Sequence, residues 1–246
     1  MASIAVILPA AGQSSRFAGR EKKPFTSLDG RAVWLRTAEL FTGRPDVKQV
    51  LLVVSPEDRE MVVSRFGATF MFMDVTLVDG GAERFESVAN ALAKLRDEID
   101  FVAVHDAVRP CTPPAVIDAV FQMAEREGAA LPGIPVADTL KRVDADMAVR
   151  ETVARQGLWH AQTPQVFRRD WLTGAYARRG ELGNAVTDDA QLVEAAGHLV
   201  RMVTGSVFNV KITTPDDMRL AEMFLNKKEA EAPKKASRPF DDDRFE

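Results

Sequence analysis

The chain has 246 residues, 46% of them hydrophobic, enough for one large domain or two small ones with a true core. Its 32 basic and 36 acidic residues leave a net charge of −4, so nothing global favours a nucleic-acid partner and any anion site must be local. A single cysteine rules out an intrachain disulfide, and the three histidines lack zinc-ligand spacings, so the chain suits a reducing compartment and no structural metal is expected.

Continuous apolar runs alternate with helical periods, the pattern of a mostly parallel sheet covered on both faces. The apolar stretch from Ile4 to Ala11 is too short to span a bilayer, and no basic segment precedes it. A cytoplasmic protein without a membrane partner is therefore expected. Ile4–Leu8 reads as the first strand, followed by a small and polar loop to about Arg20. A helix is predicted over Ala32–Phe41, a strand over Gln49–Val54, and a helix from Ser55-Pro56-Glu57 to Phe66. A strand at Val75–Val78 leads through Gly80-Gly81 into a helix over Glu83–Leu95, where Val88, Ala91, Leu92 and Leu95 share one face. Then come a strand at Phe101–Val104, a helix from Pro113-Pro114 to Glu127, and a strand at Ala129–Val136.

From Ala137 to Phe167 neither period persists, which predicts an extended β-arm projecting from the sheet. Such an arm needs a partner to bury it, so a homodimer is inferred. Helices at Arg169–Arg179 and Asp188–Ala196, strands at Leu199–Val203 and Phe208–Ile212, and a helix at Pro215–Leu225 complete one domain over residues 1–225. The end of the chain, residues 226–246, reads as a disordered, solvated tail: from Lys227 onward it carries six basic and six acidic residues with two prolines. It is too short for a fused further domain.

Three loops carry chemistry. After the first strand, Ala10-Ala11-Gly12 lets backbone N–H groups approach an anion, and Arg16 and Lys23 can supply positive charge. This is a phosphate cradle without the Gly-Lys-Ser/Thr ending of a Walker loop or the G-x-G-x-x-G spacing; the alternative is a plain structural turn. Asp79-Gly80-Gly81-Ala82-Glu83-Arg84 brings a glycine turn to a helix start carrying Arg84 and Ser87, suited to a base or sugar, or simply an ordinary βα turn. His105-Asp106-Ala107-Val108-Arg109 ends a strand where open α/β sheets bind ligands. Asp106 is well placed to hold Mg²⁺, whereas His105 reads first as a packed histidine rather than a base. Thr187 and Asp188 double as helix-capping residues, and Lys211, flanked by Val210 and Ile212, either snorkels from a strand end or faces an anion site.

Taken together, these segments resemble the 2-C-methyl-D-erythritol 4-phosphate cytidylyltransferase family of the non-mevalonate isoprenoid pathway, over about residues 3 to 225. The matching blocks are Pro9-Ala10-Ala11-Gly12 with Arg16 and Lys23, Asp79-Gly80-Gly81 with Arg84 and Ser87, His105-Asp106-Ala107 with Arg109, Asp138-Thr139, Gly157-Leu158-Trp159-His160 with Thr163-Pro164-Gln165, Thr187-Asp188, and Asn209 with Lys211. Their order, and the Trp159 block in particular, makes the resemblance specific. Two departures stand out: Ser14 occupies the place of a second loop glycine, and Pro24 follows Lys23 where the family's proline precedes its lysine, so that Lys22 or Lys23 can be the matching residue, with Lys23 preferred.

The resemblance implies an α/β, Rossmann-like nucleotidyltransferase with a dimerising arm. It implies that CTP and 2-C-methyl-D-erythritol 4-phosphate react, with Mg²⁺, to give the CDP-alcohol and pyrophosphate. Arg16 and Lys23 would hold the triphosphate, Asp106 the metal, and Ala10, Ala11, Gly12, Gly81, Ala82, Arg84 and Ser87 the nucleotide. Arg155 and Lys211 would neutralise the acceptor phosphate, with Asp106, Ala107, Arg109, Thr139, Thr163 and Thr187 completing that pocket, part of it from a partner's arm. The rivals are a cytidylyltransferase for another polyol phosphate, such as ribitol 5-phosphate, and a nucleotide-binding paralogue without catalysis.

Overall fold

The computed structural model describes residues 2–12, 22–180 and 186–231, with side chains up to residue 226. Arg16 and Ser14 lie outside the described residues.

In chain order the elements are β1 (Ile4–Pro9), β2 (Ser27–Leu28), β3 (Arg31–Ala32), α1 (Val33–Ala38), β4 (Val47–Val54), α2 (Arg59–Met73), β5 (Val75–Asp79), α3 (Arg84–Leu92), β6 (Phe101–Val104), α4 (Pro114–Glu127) and β7 (Ala129–Pro135). There follow β8 (Leu140–Val143), β9 (Val149–Val153), β10 (Trp159–Ala161), β11 (Gln165–Arg168), α5 (Arg169–Ala177), α6 (Asp189–Ala195), β12 (Arg201–Thr204) and α7 (Pro215–Glu231). The central sheet runs β10-β7-β11-β6-β1-β4-β5, with β12 also paired to β7. β6, β1, β4 and β5 are mutually parallel, and β11 enters antiparallel to both β6 and β7.

The apolar run of β1 is explained by its neighbours. Flanked by β4 and β6, it sends Ile4, Val6 and Leu8 to a core layer under α1, α2 and α4, and Ala5 and Ile7 to a second layer under α3, α5 and α6. Each such fully buried large aliphatic side chain contributes about 1.5–3 kcal/mol. The chain goes from β1 to β4 to β5 on one side, then returns to lay β6 on the other side of β1. That reversal is a topological switch point, and the loops beyond the carboxyl ends of β1 and β6 open a crevice there.

Several boundaries differ from the sequence pattern. α1 stops at Ala38, giving way to turns through Gly43. α2 runs on from Phe66 to Met73, ended by Asp74 in the left-handed region at φ 51°. The projecting arm is narrower than residues 137–167: only β8 and β9 form a separate two-stranded hairpin, while β10 and β11 are strands of the central sheet. The reason is burial, since Val166 and Phe167 are fully buried between β6 and β7. No strand forms at Phe208–Ile212; that segment is irregular and pinned by side-chain bonds. α7 extends past Leu225 to Glu231, so the first part of the predicted disordered tail is helical. Gly128, at φ 93°, closes α4 where a Cβ would stand 2.4 Å from the Trp171 ring. Among the described residues no helix is long and apolar enough to cross a membrane.

Candidate active site

The crevice at the switch point is a cleft of about 230 Å³ lined by Pro9, Ala10, Ala11, Gly12, Lys23, Pro24, Gly81, Ala82, Glu83, Arg84, Ser87, Asp106, Val108 and Lys211. The three loops singled out by composition therefore meet in one place, joined by Lys211 from far along the chain.

The loop after β1 is held by Ala10, whose N–H donates to the Val53 carbonyl of β4 at 2.7 Å. That N–H is committed to the fold. Lys23 and Pro24 belong to a single 3₁₀ turn, Lys23–Phe25. Pro24 stands in its first turn, where proline's fixed φ is favourable and no N–H is required. The departure at Pro24 thus fixes the backbone that carries Lys23 to the cleft. Lys22 points elsewhere, to Asp58 at 2.7 Å and Ser55 at 3.1 Å. Of the two lysines, Lys23 is the one that lines the cleft.

On the opposite wall Glu83 caps α3 in a reciprocal capping box with Glu86. The Gly81 N–H donates to Ser87 Oγ at 3.1 Å, and Ser87 Oγ donates to the Glu83 carbonyl at 3.1 Å. A Cβ on Gly80 would lie 2.8 Å from both Ala11 Cβ and Ser87 Oγ, so glycine lets the β1 and β5 loops approach each other. Arg84 reaches past the wall to Asp189, donating to Oδ2 at 2.6 Å, while Tyr176 donates to Oδ1 at 2.5 Å. Asp189 is the N1 residue of α6, and its side chain is only 1% exposed. Burial works against the Arg84 cation, but the Asp189 charge and hydrogen bond outweigh it and raise its pKa.

The floor is built on Asp106, just beyond β6. Its Oδ2 accepts from Arg109 Nε at 3.0 Å and pairs with Lys211 Nζ at 3.1 Å. Burial would push the carboxyl up, yet Lys211, Arg109 and Arg84 together hold it well below the ordinary carboxylate range. It is ionised at neutral pH. Behind it, the Asp106 N–H donates to Thr163 Oγ1 at 3.1 Å, and that hydroxyl faces His105 Nδ1 at 3.1 Å. His105 Nε2 lies 3.3 Å from the Arg109 carbonyl, which can only accept, so Nε2 carries the proton and Nδ1 accepts from Thr163. Burial pushes the imidazole down to about 4. His105 is a neutral packing histidine, as its position first suggested.

Of the residues expected in the site, Ala10, Ala11, Gly12, Lys23, Gly81, Ala82, Arg84, Ser87, Asp106 and Lys211 converge on the cleft. Ala107, Arg109 and Thr163 are buried around Asp106 rather than on its open side. The guanidinium of Arg109 is committed to Asp106 and, at 2.7 Å, to the Asn209 carbonyl. Thr139 and Arg155, beside the hairpin, are exposed and away from this chain's own cleft, with Arg155 donating to the Ala137 carbonyl. Thr187 lines a neighbouring depression with Asp188 and Asp189 that shares Glu83 and Arg84 with the cleft. Asp188, not Thr187, is the α6 N-cap, accepting from Gln191 N–H at 3.0 Å. The roles of Asp189 and Tyr176 behind Arg84 were not apparent from spacing; the doublet Asp188-Asp189 at a helix start was the only sequence signal.

Comparison with known proteins gives the family and the fold. A family model described as 2-C-methyl-D-erythritol 4-phosphate cytidylyltransferase matches residues 4–227. A protein of that name from Rhodopirellula baltica is 42% identical over 236 residues, covering 92% of this chain and 96% of its own. One from Salinibacter ruber is 43% identical over 220 residues, covering 89% and 91%. The crystal structure of the Thermus thermophilus cytidylyltransferase superposes with a TM-score of 0.74 at 32% identity, covering 92% of this chain and all of that one.

Proposed function

The chain belongs to the 2-C-methyl-D-erythritol 4-phosphate cytidylyltransferase family, and from that premise we infer how its cleft performs the transfer. The activity is nucleotidyl transfer in isoprenoid precursor synthesis. A phosphate oxygen of 2-C-methyl-D-erythritol 4-phosphate bonds to the α-phosphorus of CTP, the bond from that phosphorus to the bridging oxygen breaks, and pyrophosphate leaves with the electron pair. The observation that carries this reading is the convergence of the small-residue cradle, Lys23, Arg84, Asp106 and Lys211 on one cleft.

The attacking phosphate has a second pKa near 6, so it needs no general base. A neutral, buried His105 is compatible with that chemistry. The difficulty is bringing two anions together, and the work falls on positioning and on fixed positive charge. Lys23, together with Arg16, binds the triphosphate and stabilises charge as the α-phosphorus is attacked. Ala10, Ala11, Gly12, Gly81, Ala82 and Ser87 shape the nucleotide wall, and Arg84 is held there by Asp189. Lys211, half exposed at the rim, binds the acceptor phosphate.

The donor set fits a magnesium ion held mainly by substrate phosphates, because Asp106 offers one ionised carboxylate on the cleft and such ions take one or two protein carboxylates. Asp106 is the residue that would hold it, and the ion when bound would neutralise charge on the triphosphate.

Arg155 and Thr139 are exposed beside the hairpin and do not line this chain's cleft, which supports a homodimer in which the hairpin of one chain completes the acceptor site of the other. The hairpin's exposed Val143, Met147 and Val149 support the same arrangement. The substrates are soluble phosphate metabolites, which supports a cytoplasmic enzyme without nucleic-acid or membrane partners.

Pyrophosphate release from CTP, assayed separately with 2-C-methyl-D-erythritol 4-phosphate and with ribitol 5-phosphate, tests the acceptor. Turnover confined to the first is expected. Comparable kcat/KM with ribitol 5-phosphate, or CTP binding without turnover on either, overturns the reading.

A further inference from the structure

Lys211 is a long side chain on a stretch without regular secondary structure, yet its ammonium sits 3.1 Å from Asp106. A lysine on an unsupported loop would sample many positions, so something must hold its backbone. On one side the support is Ile212, fully buried, whose N–H donates to the Val108 carbonyl at 2.9 Å. On the other it is Asn209, only 1% exposed.

The side chain of Asn209 is tied to two other segments. Its Oδ1 accepts from Thr112 Oγ1 at 2.8 Å, on the loop leading into α4. Its Nδ2 donates to the Thr163 carbonyl at 2.8 Å and approaches Gln162 Oε1 at 3.4 Å, both in the break between β10 and β11. Its main-chain carbonyl receives the Arg109 guanidinium that also holds Asp106. The partners demand an amide: Thr112 needs an acceptor and the Thr163 carbonyl needs a donor. A carboxylate cannot donate, and an aliphatic residue takes the donor from the buried Thr163 carbonyl and leaves Thr112 only the Arg109 carbonyl, at 3.1 Å.

We propose that Asn209 is a positioning residue for the transfer, acting through Lys211: it anchors the loop so that the Lys211 ammonium is preset beside Asp106 at the acceptor side of the cleft. This deepens the reading of Lys211 as the acceptor-phosphate cation and rests on it. The residue touches no substrate. Its effect should fall mainly on the acceptor, because its side-chain bonds run to Thr112, Gln162 and Thr163 and not to the β1 loop or α3.

The test is a double-mutant cycle on the full chain with Asn209→Ala, Lys211→Ala and the pair, reading acceptor KM, kcat, CTP affinity by calorimetry and Tm. Displacing a charged group by about an ångström can cost up to about a hundredfold, so acceptor kcat/KM should fall at least about tenfold in Asn209→Ala, with CTP affinity within about twofold of wild type. The double variant should be no worse than Lys211→Ala, since a residue acting through another is not additive with it. Thr112→Val, which removes only the hydroxyl that donates to Asn209, should show a smaller loss of the same kind and serves if Asn209→Ala fails to fold. Additive losses in the double variant, or CTP affinity falling in step with acceptor kcat/KM, overturn the positioning role alone. Unchanged acceptor kinetics in Lys211→Ala overturn the reading of Lys211 and this inference with it.

Discussion

Arg84 donates to Asp189 at 2.6 Å across the boundary between the cleft and the core, the arginine partly exposed and the aspartate almost wholly buried. The pair ties the start of α3 to the start of α6. It gives the cleft a cation whose place is set from behind. Asp189→Asn keeps the size of the side chain and removes the charge. The expected result is a loss of about 1–3 kcal/mol of stability, as for a weakened charged hydrogen bond, together with weaker CTP binding. Chemical denaturation and calorimetry with CTP measure the two; unchanged CTP affinity would separate Arg84 from the nucleotide.

Lys22 and Lys23 are adjacent but face different surroundings. Lys23→Ala should lower kcat by on the order of 10²-fold or more, as for loss of a preorganised charge contact. Lys22→Ala removes an ion pair with Asp58 and should cost at most about 1 kcal/mol of stability. Pyrophosphate release rates for both variants decide it, and equal losses would show that the turn does not discriminate between them.

Gly80 marks the contact between the β1 loop and α3. Gly80→Ala puts a methyl group 2.8 Å from Ala11 Cβ and Ser87 Oγ, and 3.2 Å from the Val54 carbonyl. The loops must separate, so CTP affinity should fall by about tenfold or more, on the scale of misplaced binding groups. Titration with CTP monitored by calorimetry reads this directly.

The burial of His105 makes stability depend on pH. Its folded pKa is pushed down to about 4 from an ordinary 6.5, so between these values the unfolded chain binds the proton that the folded chain refuses. Stability therefore falls as pH drops from about 6.5 towards 4, by roughly 3 kcal/mol if this group acts alone. The depressed carboxyl of Asp106 contributes stability that is lost only lower, as pH falls below its unfolded value of 3.8. Urea midpoints at pH 7 and pH 4.5 should differ in the wild type and differ less in His105→Gln; equal slopes in both would assign the effect elsewhere.

If hairpins are exchanged, two defective chains can complement one another. Arg155→Ala keeps Lys211 in its cleft, and Lys211→Ala keeps Arg155 on its hairpin. Mixing them after dissociation should restore about a quarter of wild-type activity, since half the dimers are mixed and each has one intact site. Activity no higher than the average of the parent variants would place Arg155 in its own chain's cleft or outside the reaction.

Much of this was legible in the sequence because the parallel strands are buried on both faces and write themselves as unbroken apolar runs, as Ile4–Leu8 does. The cleft loops were legible because phosphate chemistry needs small residues and cations after strand ends. What was hidden depends on distant partners. Gln165–Arg168 looked like part of an arm because so short a run gives no sign that β6 and β7 leave a slot for it. Phe208–Ile212 has the composition of a strand, but the bonds of Asn209 to Thr112 and Thr163 take the place of a ladder. Asp189 finds Arg84 from 105 residues away, a pairing that no local pattern encodes.

The order of the cleft's parts along the chain has a consequence for biosynthesis. Asp106 follows the fourth of the parallel core strands, whereas Lys211 comes after every strand has been made. A ribosome-bound chain can thus lay down most of its apolar interior while its acid still lacks the lysine that will neutralise it. On the role proposed for Lys211, catalytic competence would arrive as one of the last events of synthesis, and a translation product cut short before that residue would lack the ammonium that pairs with Asp106.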